Sequence, residues 1–156
     1  WGPFTYTLSV DGAPAGQTTA NSLTAARPLS DGSHRWQVLA TNPAGQQSHT
    51  ESTRVFIDTV RPRAKLRLTG ARRAGALLRA LLSYADHPPA GQPRSHASGV
   101  AKVVIRWGDG STLRLKPGAH SAAHAYRRSG RYRITLLVTD RAGNQARVTL
   151  KLSVGK

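Results

Sequence analysis

The sequence predicts an all-β chain of two tandem β-sandwiches, the first lacking its opening strands. Three observations lead there. Apolar residues recur at every second position in several short runs, as half-buried strands require. Turn residues punctuate those runs at Asp11-Gly12, Asn42-Pro43-Ala44-Gly45, Gly108-Asp109-Gly110 and Asp140-Arg141-Ala142-Gly143-Asn144. A shift of 98 positions lays Gly32–Val38 on Gly130–Leu136 and Thr41–Gly45 on Thr139–Gly143, and it also sets Asp11-Gly12 on Asp109-Gly110.

The elements follow in order. Phe4, Tyr6, Leu8 and Val10 alternate and end at Asp11-Gly12, a strand with a hairpin turn. Ala13-Pro14-Ala15-Gly16 extends that turn, and a weak strand is expected around Gln17–Ala20. A segment with Leu23 and Leu29 precedes a clear strand over Ser33–Thr41, with His34, Trp36, Val38 and Ala40 inward. Arg54–Ile57 closes this part, and Asp58-Thr59-Val60-Arg61-Pro62 reads as an extended linker stiffened by its proline. Ala64–Thr69 alternates again. The leucines of Gly75–Asp86 fit a helical period, and only the all-β surroundings assign that piece to a strand. Residues 87–98, with Pro88, Pro89 and Pro93, form a loop. Three strands complete the chain, carrying Val103, Ile105 and Trp107, then Tyr132, Ile134, Leu136 and Val138, then Val148, Leu150, Leu152 and Val154.

A repeat near 100 residues is the size of an immunoglobulin-like sandwich, so the domains are expected at 1–60 and 61–156. On the same ruler the first lacks one or two opening strands. Apolar side chains and strand edges would then stay open, inviting a partner that completes them. The start at Trp1, with neither an initiating Met nor a leader, reads as a processed product or a fragment.

Charge divides the chain the same way. Residues 1–60 hold three basic groups against four acids, a net of −1, while the rest holds 20 against three, a net of +17. Inward Val103, Ile105 and Trp107 put Lys102 and Arg106 outward, and the same alternation exposes Arg131 and Arg133, then Arg147 and Lys151. On neighbouring strands these six cations would share one face, where like charges repel unless anions or a partner answer them. That face has no aromatic residues to stack bases, which opposes sequence-specific nucleic-acid binding.

Catalytic patterns do not emerge: there is no Gly-x-Ser-x-Gly, His-Glu-x-x-His, phosphate loop or paired carboxylates. The chain has no Cys, which excludes a disulfide framework and a thiolate metal site. No apolar run approaches the roughly 20 residues of a membrane helix, so membrane insertion is not expected. His120 and His124 stand four apart, but in extended chain that separates them by about 13 Å, too far to share a metal. Calcium needs several converging oxygens, and Asp109 and Asp140 suit Asx turns instead. Neither an enzyme nor a cofactor nor a metal is expected.

Trp107-Gly108-Asp109-Gly110-Ser111, His124-Ala125-Tyr126, Gly130-Arg131-Tyr132 and Val138-Thr139-Asp140 followed by Gly143-Asn144 together resemble the polycystic-kidney-disease (PKD) domain over about 63–155. The usual Trp-x-Phe-Gly-Asp-Gly is here contracted to Trp-Gly-Asp-Gly. The His-x-Tyr pattern makes His124 a structural hydrogen-bonding residue. Residues 1–60 resemble the later strands of a bacterial Ig-like or fibronectin type III-like repeat, through Tyr-Thr-Leu-Ser-Val-Asp-Gly, Asp-Gly-Ser-His-Arg-Trp and the Asp58–Pro62 junction. The resemblance implies tandem modules on secreted or cell-surface bacterial proteins, serving as spacers, adhesive units or appendages to enzymes. The expected role is a spacer or a repeating subunit of an extracellular fibre, with a protein partner or another copy completing residues 1–60. The alternative is a module that attaches to anionic polysaccharide or another polyanion through Lys102, Arg106, Arg131, Arg133, Arg147 and Lys151.

Overall fold

The computed structural model describes residues 2–156, in two units that divide between Asp58 and Thr59, two residues before the expected boundary. Among the described residues every regular element is a strand except a single 3-10 turn at Arg94–His96.

The first unit contains β1 (Thr5–Val10), β2 (Ala13–Thr18), β3 (Gly32–Thr41), β4 (Gln47–His49) and β5 (Thr53–Ile57). They form one antiparallel sheet in the order β2-β1-β3-β4, with β5 also paired to β3. Asp11 and Gly12, with φ of 51° and 80°, make a two-residue turn whose backbone twist suits a hairpin. The turn therefore ends at Gly12, and Ala13–Gly16 belong to β2 rather than to a longer turn. Pro14 is tolerated because β2 is an edge strand and the ladder shifts register between Leu8 and Ser9, opposite it. Phe4 lies just outside β1 and is 48% exposed, not inward.

The second unit contains β6 (Arg63–Thr69), β7 (Leu77–Ala85), β8 (Val100–Arg106), β9 (Thr112–Leu115), β10 (Ser121–Ala125), β11 (Gly130–Asp140) and β12 (Gln145–Val154). Two sheets, β10-β7-β6 and β12-β11-β8-β9, enclose a core in which Val103, Ile105, Ile134, Leu136 and Val138 are wholly buried. β7 is a strand because Leu78, Ala80 and Leu82 alternate into this core, leaving Leu77 and Leu81 outward. A short parallel bridge joins Arg73 to Gly155 beyond the end of β12. It is closed by Gly155 N–H to Arg72 O and Ala74 N–H to Gly155 O, both 2.8 Å.

The repeat becomes a topological statement. β1, β2, β3 and β4–β5 take the order of β8, β9, β11 and β12, and Leu8 pairs with Val38 as Ile105 pairs with Leu136. Among the described residues the first unit has no counterpart of β6, β7 or β10, so it is one layer where the second unit has two. Tyr6, Leu8, Val10, Trp36 and Val38 are accordingly only half-buried, although their counterparts on β8 and β11 are the centre of a closed core. With Leu23 and Leu29 from the strandless segment before β3, they line an open apolar groove of about 600 Å³.

Candidate functional site

Trp107, Gly108, Asp109 and Gly110 sit in the turn from β8 to β9, where Trp107 N–H donates to Ser111 O at 3.0 Å. Asp109 Oδ1 accepts from Ser111 N–H at 3.0 Å, the Asx turn its type and position favour. Its Oδ2 lies 2.7 Å from His124 Nε2, brought by β10 from the opposite sheet. Partial burial pushes the Asp109 carboxyl up, but the Ser111 and His124 hydrogen bonds outweigh it and hold it below the usual carboxylate value. His124 stacks on Trp107 at 4.8 Å and meets Tyr126 edge-on at 4.7 Å, while Tyr126 stacks on Tyr132 at 4.1 Å. Tyr126 O–H donates to Trp107 O at 2.8 Å. Burial first, and then the Asp109 charge, push the Tyr126 phenol far up, so it remains a proton donor. These residues lock a corner where the two sheets meet. His120 faces Tyr84 at 5.9 Å, away from this corner.

At the far end of β11, Asp140 is buried and accepts Asn144 N–H at 2.8 Å and Asn144 Nδ2–H at 3.0 Å, with Gly143 (φ 97°) completing the turn. Asp86 Oδ2 accepts Gly99 N–H at 2.6 Å, and carboxylate oxygens of Asp86 and Asp140 lie within 4.8 Å of each other. Two carboxylates this close are costly unless donors or a cation offset them, and backbone and amide N–H groups supply part of that. The pairing is 54 residues apart in sequence and has no local signal.

A second Asp–His pair occurs in the first unit. His34 Nδ1 is 2.6 Å from Asp11 Oδ2 and His34 Nε2 is 2.8 Å from Ser30 O, while Arg35 N–H donates to Asp11 Oδ1 at 2.8 Å. Both ring nitrogens face acceptors, so the imidazolium form satisfies them together. The Asp11 and Ser30 hydrogen bonds raise the His34 pKa, and Arg35 N–H with His34 lowers that of Asp11. The His34 contribution is present below the ordinary 6.5 and is lost as pH rises through the raised folded value. That of Asp11 is present above 3.8 and is lost as pH falls through its lowered value. The first unit should therefore melt at its highest temperature between these limits. Thermal melts should show a decline on the alkaline side that His34→Gln removes; a wild-type profile flat above pH 6.5 would contradict the clip.

The register places all six expected cations on the outer face of the four-stranded sheet. Lys102 and Arg106 lie on β8, Arg131 and Arg133 on β11, and Arg147 and Lys151 on β12, every one exposed. Arg133 stands directly opposite Lys151. Arg114 on β9 joins them, in line with Val104, Leu137 and Arg147 across the sheet. Arg114 escaped the sequence reading because β9 has only four residues and no alternation long enough to register. The outward positions of these strands hold no acid, and Thr112, Thr135 and Thr149 lie among the cations.

Residues 90–154 match the family model of the PKD domain. No curated protein matches the chain. Among solved structures, the fibronectin(III)-like modules of Clostridium thermocellum CbhA superpose with a TM-score of 0.61 at 15% identity, covering 98% of this chain and 79% of that one. The PKD1 domain of Vibrio anguillarum Epp gives 0.45 at 20% identity, over 63% of this chain and 98% of that one. The PKD1 domain of the Vibrio cholerae metalloprotease PrtV gives 0.43 at 19%, over 62% and 100%. The CbhA likeness establishes the fold and nothing further.

Proposed function

We propose that this chain, a PKD domain preceded by an Ig- or fibronectin III-like module, is a non-enzymatic structural unit of a secreted or cell-surface bacterial protein. It serves as a spacer or as a repeating subunit of an extracellular fibre, and the open face of its first unit is covered by a protein partner or by another copy of the chain. One observation carries this reading. The sheet of the first unit matches in strand order one that, in the second unit, is covered by β7 and its partners, yet here the same face is an open apolar groove. Covering such a face is worth about 25 cal/mol for each Å² of apolar surface removed from water, which favours a partner seated on it. A head-to-tail contact of this kind propagates, whereas a self-complementary one closes at a dimer. Sedimentation velocity across a concentration series should show species larger than a dimer, and Val38→Asp in the groove should abolish them. A folded monomer at every concentration, or a closed dimer, sinks the fibre.

The cationic sheet favours a second reading, attachment of a larger secreted protein to an anionic polymer. Seven cations on one face without an intervening carboxylate repel one another, and a bound polyanion relieves that repulsion. Retention on heparin should fall steeply with added salt; a flat response defeats this reading.

A further inference from the structure

Resting on the second of these readings, we infer that Arg131, Arg133, Lys151 and Ser153 form the principal subsite of the basic face. It would seat a carboxylate or sulfate ester of an acidic polysaccharide. The four residues line a shallow depression of about 420 Å³ on the outer surface of β11 and β12. Arg133 opposes Lys151, and Arg131 opposes Ser153, in adjacent steps of the same ladder. Opposed side chains in an antiparallel pair have Cβ atoms about 4.5–5.5 Å apart, so the Arg133–Lys151 pair holds two positive charges at close quarters. Neither is paired with a carboxylate among the described residues. An oxyanion between them turns that repulsion into two charge-assisted hydrogen bonds, and the planar guanidinium fork suits the paired oxygens of a carboxylate or sulfate.

The surroundings favour a glycan over a nucleic acid. The next outward step from Arg133–Lys151 is Thr135 opposite Thr149, with their hydroxyl oxygens 3.3 Å apart and Arg106 beside Thr135. The step after that is Leu137 opposite Arg147. Cations thus flank a row of hydroxyls that can both donate to and accept from sugar hydroxyls. Base stacking would need free aromatic rings; the outward positions have none, and Tyr132, which also lines the depression, already has its ring stacked on Tyr126 and its hydroxyl donating to Arg128 O. The face is a four-stranded sheet, broader than the helix or two-stranded ribbon that a major groove admits.

The test uses the full chain with heparin as the sulfated probe, polygalacturonate as the carboxylated one, and single-stranded and duplex DNA. Arg133→Ser with Lys151→Ser is compared with Arg63→Ser and Arg67→Ser, which remove equal charge from exposed positions of the other sheet. At fixed ionic strength the first pair should weaken glycan binding at least tenfold and the second less than threefold. Because it removes facing like charges, the first pair should also leave the melting temperature unchanged or raised, which separates lost binding from lost folding. Equal losses in the two double variants would overturn the subsite while leaving a diffuse polyanion surface. Tighter binding to DNA than to either glycan would overturn the ligand class. No binding to any probe by the wild type would remove the second reading and the subsite with it.

Discussion

Trp107→Ala is expected to cost the second unit about 3–5 kcal/mol, the range for truncating a large buried aromatic. Trp107 is 2% exposed and lies under His124, while its carbonyl receives the Tyr126 hydroxyl. Truncation leaves a void at the corner where β8, β10 and β11 converge, and His124 loses the ring that positions it towards Asp109. Small domains have only about 5–15 kcal/mol in total, so this substitution should bring the second unit close to unfolding at ordinary temperatures. Chemical denaturation followed by amide exchange on β8 and β11 measures the effect. A loss below about 1 kcal/mol would show that the ring stack is not part of what holds the sheets together.

Gly108→Ala should rival it, for a different reason. Gly108 has φ of 88°, and a Cβ there would lie 2.6 Å from Arg133 O and 2.7 Å from Arg133 N. Those are backbone atoms of the central strand β11, so no side-chain rotation relieves the clash. Strain at positive φ contributes about 1–3 kcal/mol, and forcing the strand aside adds about 1–3 kcal/mol. Gly110 is the internal control, because its φ of 95° is similar but nothing lies within 4 Å of its Cβ position. Gly110→Ala should show the conformational part alone. Equal urea midpoints for the two variants would mean that close approach to β11 is unimportant.

These two residues also show what could be read in advance. Trp107 and Gly108 stood out in sequence because a period-2 run meets a glycine turn there, and β8, β11 and β12 were legible for the same reason. β7 was harder because Leu77 and Leu81 occupy outward positions, so leucine on both faces imitated a helical period. β2 was misplaced because Pro14 and Gly16 are turn residues by habit, yet an edge strand with a register shift accommodates Pro14. β4 is three exposed residues, Gln-Ser-His, with no pattern to detect. The cationic face could be anticipated because alternation and strand adjacency determine it together. The two Asp–His pairs, and Asp86 beside Asp140, depend on how distant segments meet, and no local spacing encodes that.

The bridge from Arg73 to Gly155 bears on how the second unit answers tension. Its two segments run parallel, one following the first strand of the unit and the other ending the last. Opposite pulls on the unit's two ends would slide these segments along each other, loading both 2.8 Å hydrogen bonds at once instead of peeling them in turn. In the fibre proposed above, such a shear latch is the fitting place to resist tension.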